Sequence, residues 1–192
     1  MEILEQKPDT KRPVIVRAAT SLFAEKGIDG TSMRDIAEAA GVREAAIYRH
    51  FAGKDELARE IFLSWYGWYC RELQRLVSGP SGTLDKLRGI VGHEFSAVTD
   101  RSEAFVYFRE NEARFVRSLP REIVSARRVF TAFIRGGQAK GEVRAGSPDL
   151  LADMLSGALC AVALTWLRTG RRKALNTRLE EVVQGCWHMI SA

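Results

Sequence analysis

Apolar residues recur every three or four positions along almost the whole chain, and no stretch alternates apolar and polar residues as a half-buried strand would. That pattern restricts the fold to helices packed on helices, an all-α architecture of about nine helices. The five prolines, at positions 8, 13, 80, 120 and 148, fall near segment borders, where helix starts and loops accept them. The first helix is expected from about Pro13 to Lys26, with Ile15, Ala18, Ala19, Leu22 and Phe23 on one stripe, Asp9 or Thr10 as its cap and Gly27 as its left-handed end. Ser32 opens a second helix, spaced from Asp35 as in a capping box; it buries Ile36, Ala37 and Ala40 and stops at Gly41. A third runs from about Glu44 to Phe51 and buries Val42, Ile47 and Phe51. A long fourth follows over 55–77, then helices over 83–99 capped by Thr83, 102–118 capped by Ser102, and 121–140. Ser147-Pro148-Asp149 opens a long apolar helix to about Thr169, and Asn176 or Thr177 caps a last one to about Ile190.

A chain of 192 residues, 46% of them hydrophobic, builds a real core in one large or two small domains and is too apolar for disorder. No apolar run approaches the roughly 20 residues of a membrane span. The polar first residues lack the apolar stretch of a signal peptide, so a cytoplasmic protein with no membrane partner is expected. Cys70, Cys160 and Cys186 are too scattered for a disulfide framework or a zinc site; they read as buried free thiols in a reducing compartment, and no metal or cofactor is expected. The net charge of +5 does not locate a nucleic-acid surface. Residues 1–60 carry 10 Lys and Arg against 11 Asp and Glu, so the basic excess lies beyond them.

Two short helices separated by Ala39-Ala40-Gly41-Val42 form a helix-turn-helix pattern. Gly41 stands where the chain turns with positive φ, small Ala37 lets the helices approach, and Ile36, Val42 and Ile47 fix their angle. Such a unit projects its second helix into a major groove about 12 Å wide. The longer string is more specific: Thr31-Ser32-Met33-Arg34-Asp35-Ile36-Ala37-Glu38-Ala39-Ala40-Gly41-Val42, then Ile47-Tyr48-Arg49-His50-Phe51, then Lys54-Asp55-Glu56-Leu57. It closely resembles the DNA-binding domain of the TetR family of transcriptional regulators, and Leu22-Phe23-Ala24-Glu25-Lys26-Gly27 fits that family's first helix. The resemblance covers about residues 11–60.

The resemblance implies a helix-turn-helix DNA-binding domain over 1–54, and a helical ligand-sensing and dimerisation domain over 55–192. It implies that Tyr48, His50 and Lys54 reach phosphates of double-stranded DNA. Thr31 and Ser32 sit at a helix N-terminus suited to anions, and Arg34 has the fork for guanine. The recognition helix departs from the family's usual residues at Arg43, Glu44, Ala45 and Ala46, and Ala46 removes a phosphate contact. Arg43 is read as contacting guanine or phosphate, Glu44 as accepting from cytosine N4 and Ala45 as meeting a thymine methyl; an Arg43–Glu44 ion pair is the alternative.

One such unit reads few base pairs, so a homodimer with half-sites about 34 Å apart is expected. Its interface is placed on the last two helices, at Leu151, Met154, Leu155, Gly157, Ala158, Leu159, Val162, Val183, Trp187 and Ile190. The resemblance also implies an effector pocket among helices four to eight. Its candidate lining is Phe62, Trp65, Tyr66, Tyr69, Phe105, Phe108, Phe130, Phe133 and Trp166, with His93, Arg109 and Glu112 as polar groups, for a small hydrophobic effector. The basic tract from Arg168 to Lys173 reads as a solvated loop; an acidic ligand such as an acyl-coenzyme A is the alternative. The implied function is a ligand-released repressor of a palindromic operator. A constitutive DNA binder without effector is the rival. An enzyme is disfavoured, since His50, His93 and His188 are dispersed and no catalytic motif occurs.

Overall fold

The computed structural model describes residues 11–169 and 175–192. Its α-helices are α1 (Lys11–Lys26), α2 (Met33–Ala40), α3 (Glu44–Tyr48), α4 (Lys54–Ser78), α5 (Thr83–Asp100), α6 (Ser102–Phe115), α7 (Ala126–Ala139), α8 (Pro148–Arg168) and α9 (Leu179–Ile190). Single 3-10 turns lie at Val116–Ser118 and Asn176–Arg178. Among the described residues the only extended pairing is one antiparallel bridge, Val143 to Ser191, which ties the end of the chain to the α7–α8 loop. The all-α expectation holds. The proposed caps Asp9 and Thr10, and Arg171 to Lys173, lie outside the described residues.

Several helix starts differ from the expected ones, two of them for a tertiary reason. Thr83 and Ser102 are the first helical residues of α5 and α6 and do not cap them; Gly82 and Arg101 hold the cap positions. Thr83 is buried, and its hydroxyl bonds the Glu142 carboxylate, which it holds below the usual carboxylate range. α7 begins at Ala126, not near residue 121, because the Tyr66 hydroxyl on α4 accepts the Ala126 N–H at 3.1 Å, while Ile123 N–H turns back to the Pro120 carbonyl at 3.0 Å. Asn176 and Thr177 lie in the 3-10 turn, so α9 starts at Leu179. Ser147 caps α8 as expected, its Oγ accepting Leu150 N–H at 3.3 Å with Pro148 next in line.

Two halves share one core. Ile15, Phe23, Ile36, Ile47 and Phe51 fill the space among α1, α2 and α3, and Phe23 stacks on Tyr107 of α6 with ring centroids 5.7 Å apart. The remainder packs α4 to α9 around Phe62, Tyr66, Tyr69, Phe105 and Phe108. Gly137 on α7 is needed for close approach: a Cβ there would stand 2.3 Å from Val143 Cγ2, so any side chain would push the 140–143 loop off the helix.

α8 corrects one expectation. It is long and apolar enough to cross a membrane by length and composition, with mean hydropathy 1.8 over an 18-residue window, because its few polar residues are too sparse to lower the average. Leu151, Ala152, Leu155, Leu159, Ala163 and Trp166 face the core. A second face, carrying Leu150, Met154, Gly157, Ala161 and Thr165, is exposed in the single chain, Leu150 to 60%.

Candidate nucleic-acid interface and effector region

The turn between α2 and α3 is built as the sequence suggested. The Ser32 hydroxyl accepts Asp35 N–H at 3.1 Å and donates to Asp35 Oδ2, and Asp35 also accepts Ser32 N–H at 2.8 Å. These bonds hold the Asp35 carboxyl below its ordinary range. Gly41 closes α2 at φ 65°, a conformation cheap only for glycine; its N–H reaches the Glu38 carbonyl at 3.1 Å, and that of Val42 the Ala37 carbonyl at 3.0 Å. Val42 and Ala40 are half-buried, and Met33 joins the buried face.

α3 is only five residues long, and Ile47 alone of them is buried. Arg43 holds its N-cap without a side-chain bond. Arg43, Glu44, Ala45 and Tyr48 are exposed, Tyr48 to 51%, and Arg34 is exposed on α2. Among the described residues no ion pair joins Arg43 to Glu44, so both heads face outward. His50 is half-buried against the edge of Phe51. Lys54 lies at the first turn of α4, its Nζ donating to the Thr31 carbonyl at 2.8 Å, which fixes the ammonium beside the α2 N-terminus with donors to spare.

Thr31 requires a correction. It is 2% exposed and its hydroxyl donates inward to the Gly27 carbonyl at 2.8 Å, so it buttresses the loop and presents no hydroxyl outward. Ser32 is exposed, but its hydroxyl is occupied by Asp35. Arg49 was missed. It is exposed at the C-cap of α3, between Tyr48 and His50, and its place in the Tyr48-Arg49-His50 run was the available signal.

The head is held to the body through α6 as well as α4. Tyr107 of α6 stacks on Phe23 of α1, and its hydroxyl donates to the Ala58 carbonyl of α4 at 2.6 Å. Arg114 pairs with Asp55 at 3.0 Å and with Asp29, in the α1–α2 loop, at 3.5 Å. Ser21 on α1 donates to Glu103 on α6.

The expected aromatic pocket is largely filled core. Phe62, Tyr66, Tyr69, Phe105, Phe108, Phe130 and Phe133 are buried, with Phe62 stacked on Tyr66 at 5.0 Å and Phe108 against Tyr69 at 5.2 Å and Phe105 at 5.3 Å. Periodicity placed these rings inward but could not say that they meet. His93 stacks on Tyr69 at 4.9 Å and lies 3.2 Å from the Tyr69 carbonyl; burial pushes its pKa down. The open spaces lie at the edges of this core. Trp65 borders a groove of about 440 Å³ between α1 and the α5–α6 corner, where Arg101 sits 4.7 Å over its ring. Trp166 borders one of about 420 Å³ between α8 and α9. Arg109 and Glu112 border one of about 470 Å³ between α6 and α8.

The expected dimer residues divide. Leu151, Leu155, Leu159, Val183 and Ile190 are buried in the chain's own core, because the apolar surround of α8 faces two ways and only one face is free. Met154 and Gly157 are exposed, and Ala158, Val162 and Trp187 are half-buried. Cys160 is also only half-buried, whereas Cys70 and Cys186 are buried; burial pushes the Cys70 thiol up to about 12.

Residues 15–61 match the family model described as bacterial regulatory proteins, tetR family. The chain is 27% identical over 155 residues to the HTH-type transcriptional repressor KstR2 of Mycolicibacterium smegmatis, covering 78% of this chain and 74% of that protein. Its fold is similar to the fatty acid degradation regulator FadR from Bacillus halodurans, with TM-score 0.77 and 20% identity over 95% of this chain and 97% of that one. It is also similar to the ketosteroid transcriptional regulator KstR2 of Mycobacterium tuberculosis, with TM-score 0.75 and 22% identity over 97% of each chain. With an exposed helix on a helix-turn-helix head and this family match over residues 15–61, the head of the chain is a DNA-binding domain of the tetR family of bacterial regulatory proteins.

Proposed function

We propose that the protein represses transcription by binding a palindromic operator as a homodimer and is released by a small effector with an apolar body. The observation that carries the reading is α3: five residues, three of them exposed, standing between a rigid glycine turn and an anchored Lys54. Arg34, Arg43, Glu44 and Ala45 then read base edges, and Tyr48, Arg49, His50 and Lys54 hold phosphates. The Ser32 end of α2 contributes backbone N–H groups rather than a free hydroxyl. The unpartnered face of α8, with Leu150, Met154 and Ala161 beside small Gly157, packs against its own copy across a two-fold axis. Residues 1–54 act as the reading head and 55–192 as the sensing and dimerising body. An apolar effector suits two similar proteins named for fatty acid and ketosteroid regulation.

Release follows from linkage. An effector that favours a spacing of the two heads unlike that of the operator must weaken DNA binding. α4 and α6 both carry that change, since Tyr107 and Arg114 of α6 touch the head at Phe23 and Asp29.

Selection of bound genomic fragments followed by footprinting tests the reading. The expected product is an inverted repeat with half-site centres about 34 Å apart; recovery of fragments with no shared sequence would overturn it. The phosphate role of Lys54 has its own check. Lys54→Ala is expected to flatten the slope of log affinity against log salt by about one per subunit. An unchanged slope would remove Lys54 from the interface.

A further inference from the structure

Glu94 on α5 is a carboxylate buried in aromatic core, 2% exposed. Tyr69 donates its hydroxyl to Oε2 at 2.5 Å, while Oε1 has no partner among the described residues. A core does not keep a half-satisfied carboxylate for stability, because desolvation is uncompensated on the orphan side. Burial pushes its pKa up, and the positive charge of Arg109 on α6 works against that rise. That guanidinium is loosely held: Nε reaches the Cys160 sulfur at 3.2 Å, a weak acceptor, and Nη1 reaches Glu112 at 3.5 Å. Its Cζ lies 5.9 Å and 5.8 Å from the ring centres of Phe105 and Phe108. Glu112 is itself fixed by the Tyr66 hydroxyl at 3.1 Å. Two carboxylates and two ring faces therefore act on one cation, and that cation is the head of a long, flexible side chain that lines the α6–α8 groove.

We propose that this groove admits an organic cation with an apolar body, a protonated amine or amidine, which displaces the Arg109 head and sets its N–H donors on Glu94 and Glu112. The assignment rests on the reading that the body senses an effector, and it names that effector's charged end. The groove discriminates by sign. Glu110 and Glu112 line it beside Arg109 and Arg168, while Asp153 on the same wall is paired with Arg127, so an anion seeking Arg109 meets two carboxylates next to it. The small Gly157 and Cys160 on α8 leave room for the apolar body. Displacing Arg109 acts on α6, whose Tyr107 and Arg114 touch the head at Phe23 and Asp29.

Three probes with one apolar body test this: phenylbutylamine, phenylbutanol and phenylbutyrate, titrated by calorimetry into the full chain. The amine is expected to bind roughly tenfold tighter than the other two. Glu94→Gln keeps the shape and a partner for Tyr69, and is expected to erase the amine's advantage while leaving the alcohol's affinity unchanged. Arg109→Met vacates the cation's seat and is expected to tighten amine binding severalfold. Tightest binding by the acid, an amine preference that survives Glu94→Gln, or binding of none of the three would each overturn the proposal. Operator affinity measured in the same samples separates the two readings: a Glu94-dependent amine that binds without changing operator affinity supports the site and refutes its role in release.

Discussion

Ala161→Glu is expected to leave the protein monomeric at micromolar concentration and to lower operator affinity by about 100-fold or more, since a specific operator affinity depends on two half-sites bound together. Ala161 is exposed on the free face of α8, one turn from Ala158 and two from Met154, at the rim of the α8–α9 groove, so glutamate there replaces no buried side chain. Thermal stability of the isolated chain is expected to move little, as for surface substitutions that break no bond. In a two-fold dimer the same residue enters from both sides, so one substitution buries two carboxylates in an apolar contact with no cation opposite. Light scattering reads the mass and a band-shift titration reads the affinity. A dimer mass with parental operator affinity would show that the protein associates by another face. Leu155→Ala is the contrasting substitution. Leu155 is fully buried in the chain, so it is expected to lose about 2–5 kcal/mol of stability without a specific loss of association.

What could be read from the sequence was what is decided within a few residues. Ser32 with Asp35, Gly41 at positive φ, and Ser147 before Pro148 depend on local spacing, and all three are built as expected. Thr83 resembled them but gave its hydroxyl to Glu142, a partner 59 positions away that no local pattern marks. α7 likewise begins where Tyr66 supplies an acceptor from another helix. Periodicity also distinguishes inside from outside only once. On α8 it showed apolar residues all round, and the structure was needed to give Leu155 and Leu159 to the core and Met154 and Ala161 to the free face. The aromatic residues of α4 and α6 were placed in the right region, but whether rings line a void or fill it depends on how α5 and α7 close over them. Glu94 gave no signal at all: one carboxylate in an apolar run is as easily exposed, and only its orphaned oxygen marks it. In the head, the same limit hid the inward turn of Thr31, whose hydroxyl meets carbonyls of the preceding helix and loop.

Arg43→Ala is expected to have the second large effect, confined to cognate DNA. Arg43 stands at the N-cap of α3, exposed, bonded to no cap and paired with no carboxylate, so its removal leaves the head's core of Ile36, Ile47 and Phe51 intact. A well-placed arginine fork on guanine discriminates by about 1–3 kcal/mol. A dimer makes the contact twice, so the operator complex is expected to weaken roughly 30-fold to 10⁴-fold, with relaxed preference at one position of each half-site. Affinity for unrelated duplex DNA is expected to fall far less, by the phosphate attraction of a lost charge alone. The comparison is decisive because it divides the two roles open to Arg43. Equal losses on operator and unrelated DNA would make it a phosphate contact. No loss on either would take the α3 N-terminus out of the groove, and with it the docking that Glu44 and Ala45 require. Arg49 offers the internal control from the other end of the same helix. As a phosphate contact beside Tyr48, its alanine variant is expected to weaken both DNAs alike and to flatten the salt slope, so one five-residue helix would carry sequence discrimination at its start and electrostatic grip at its end.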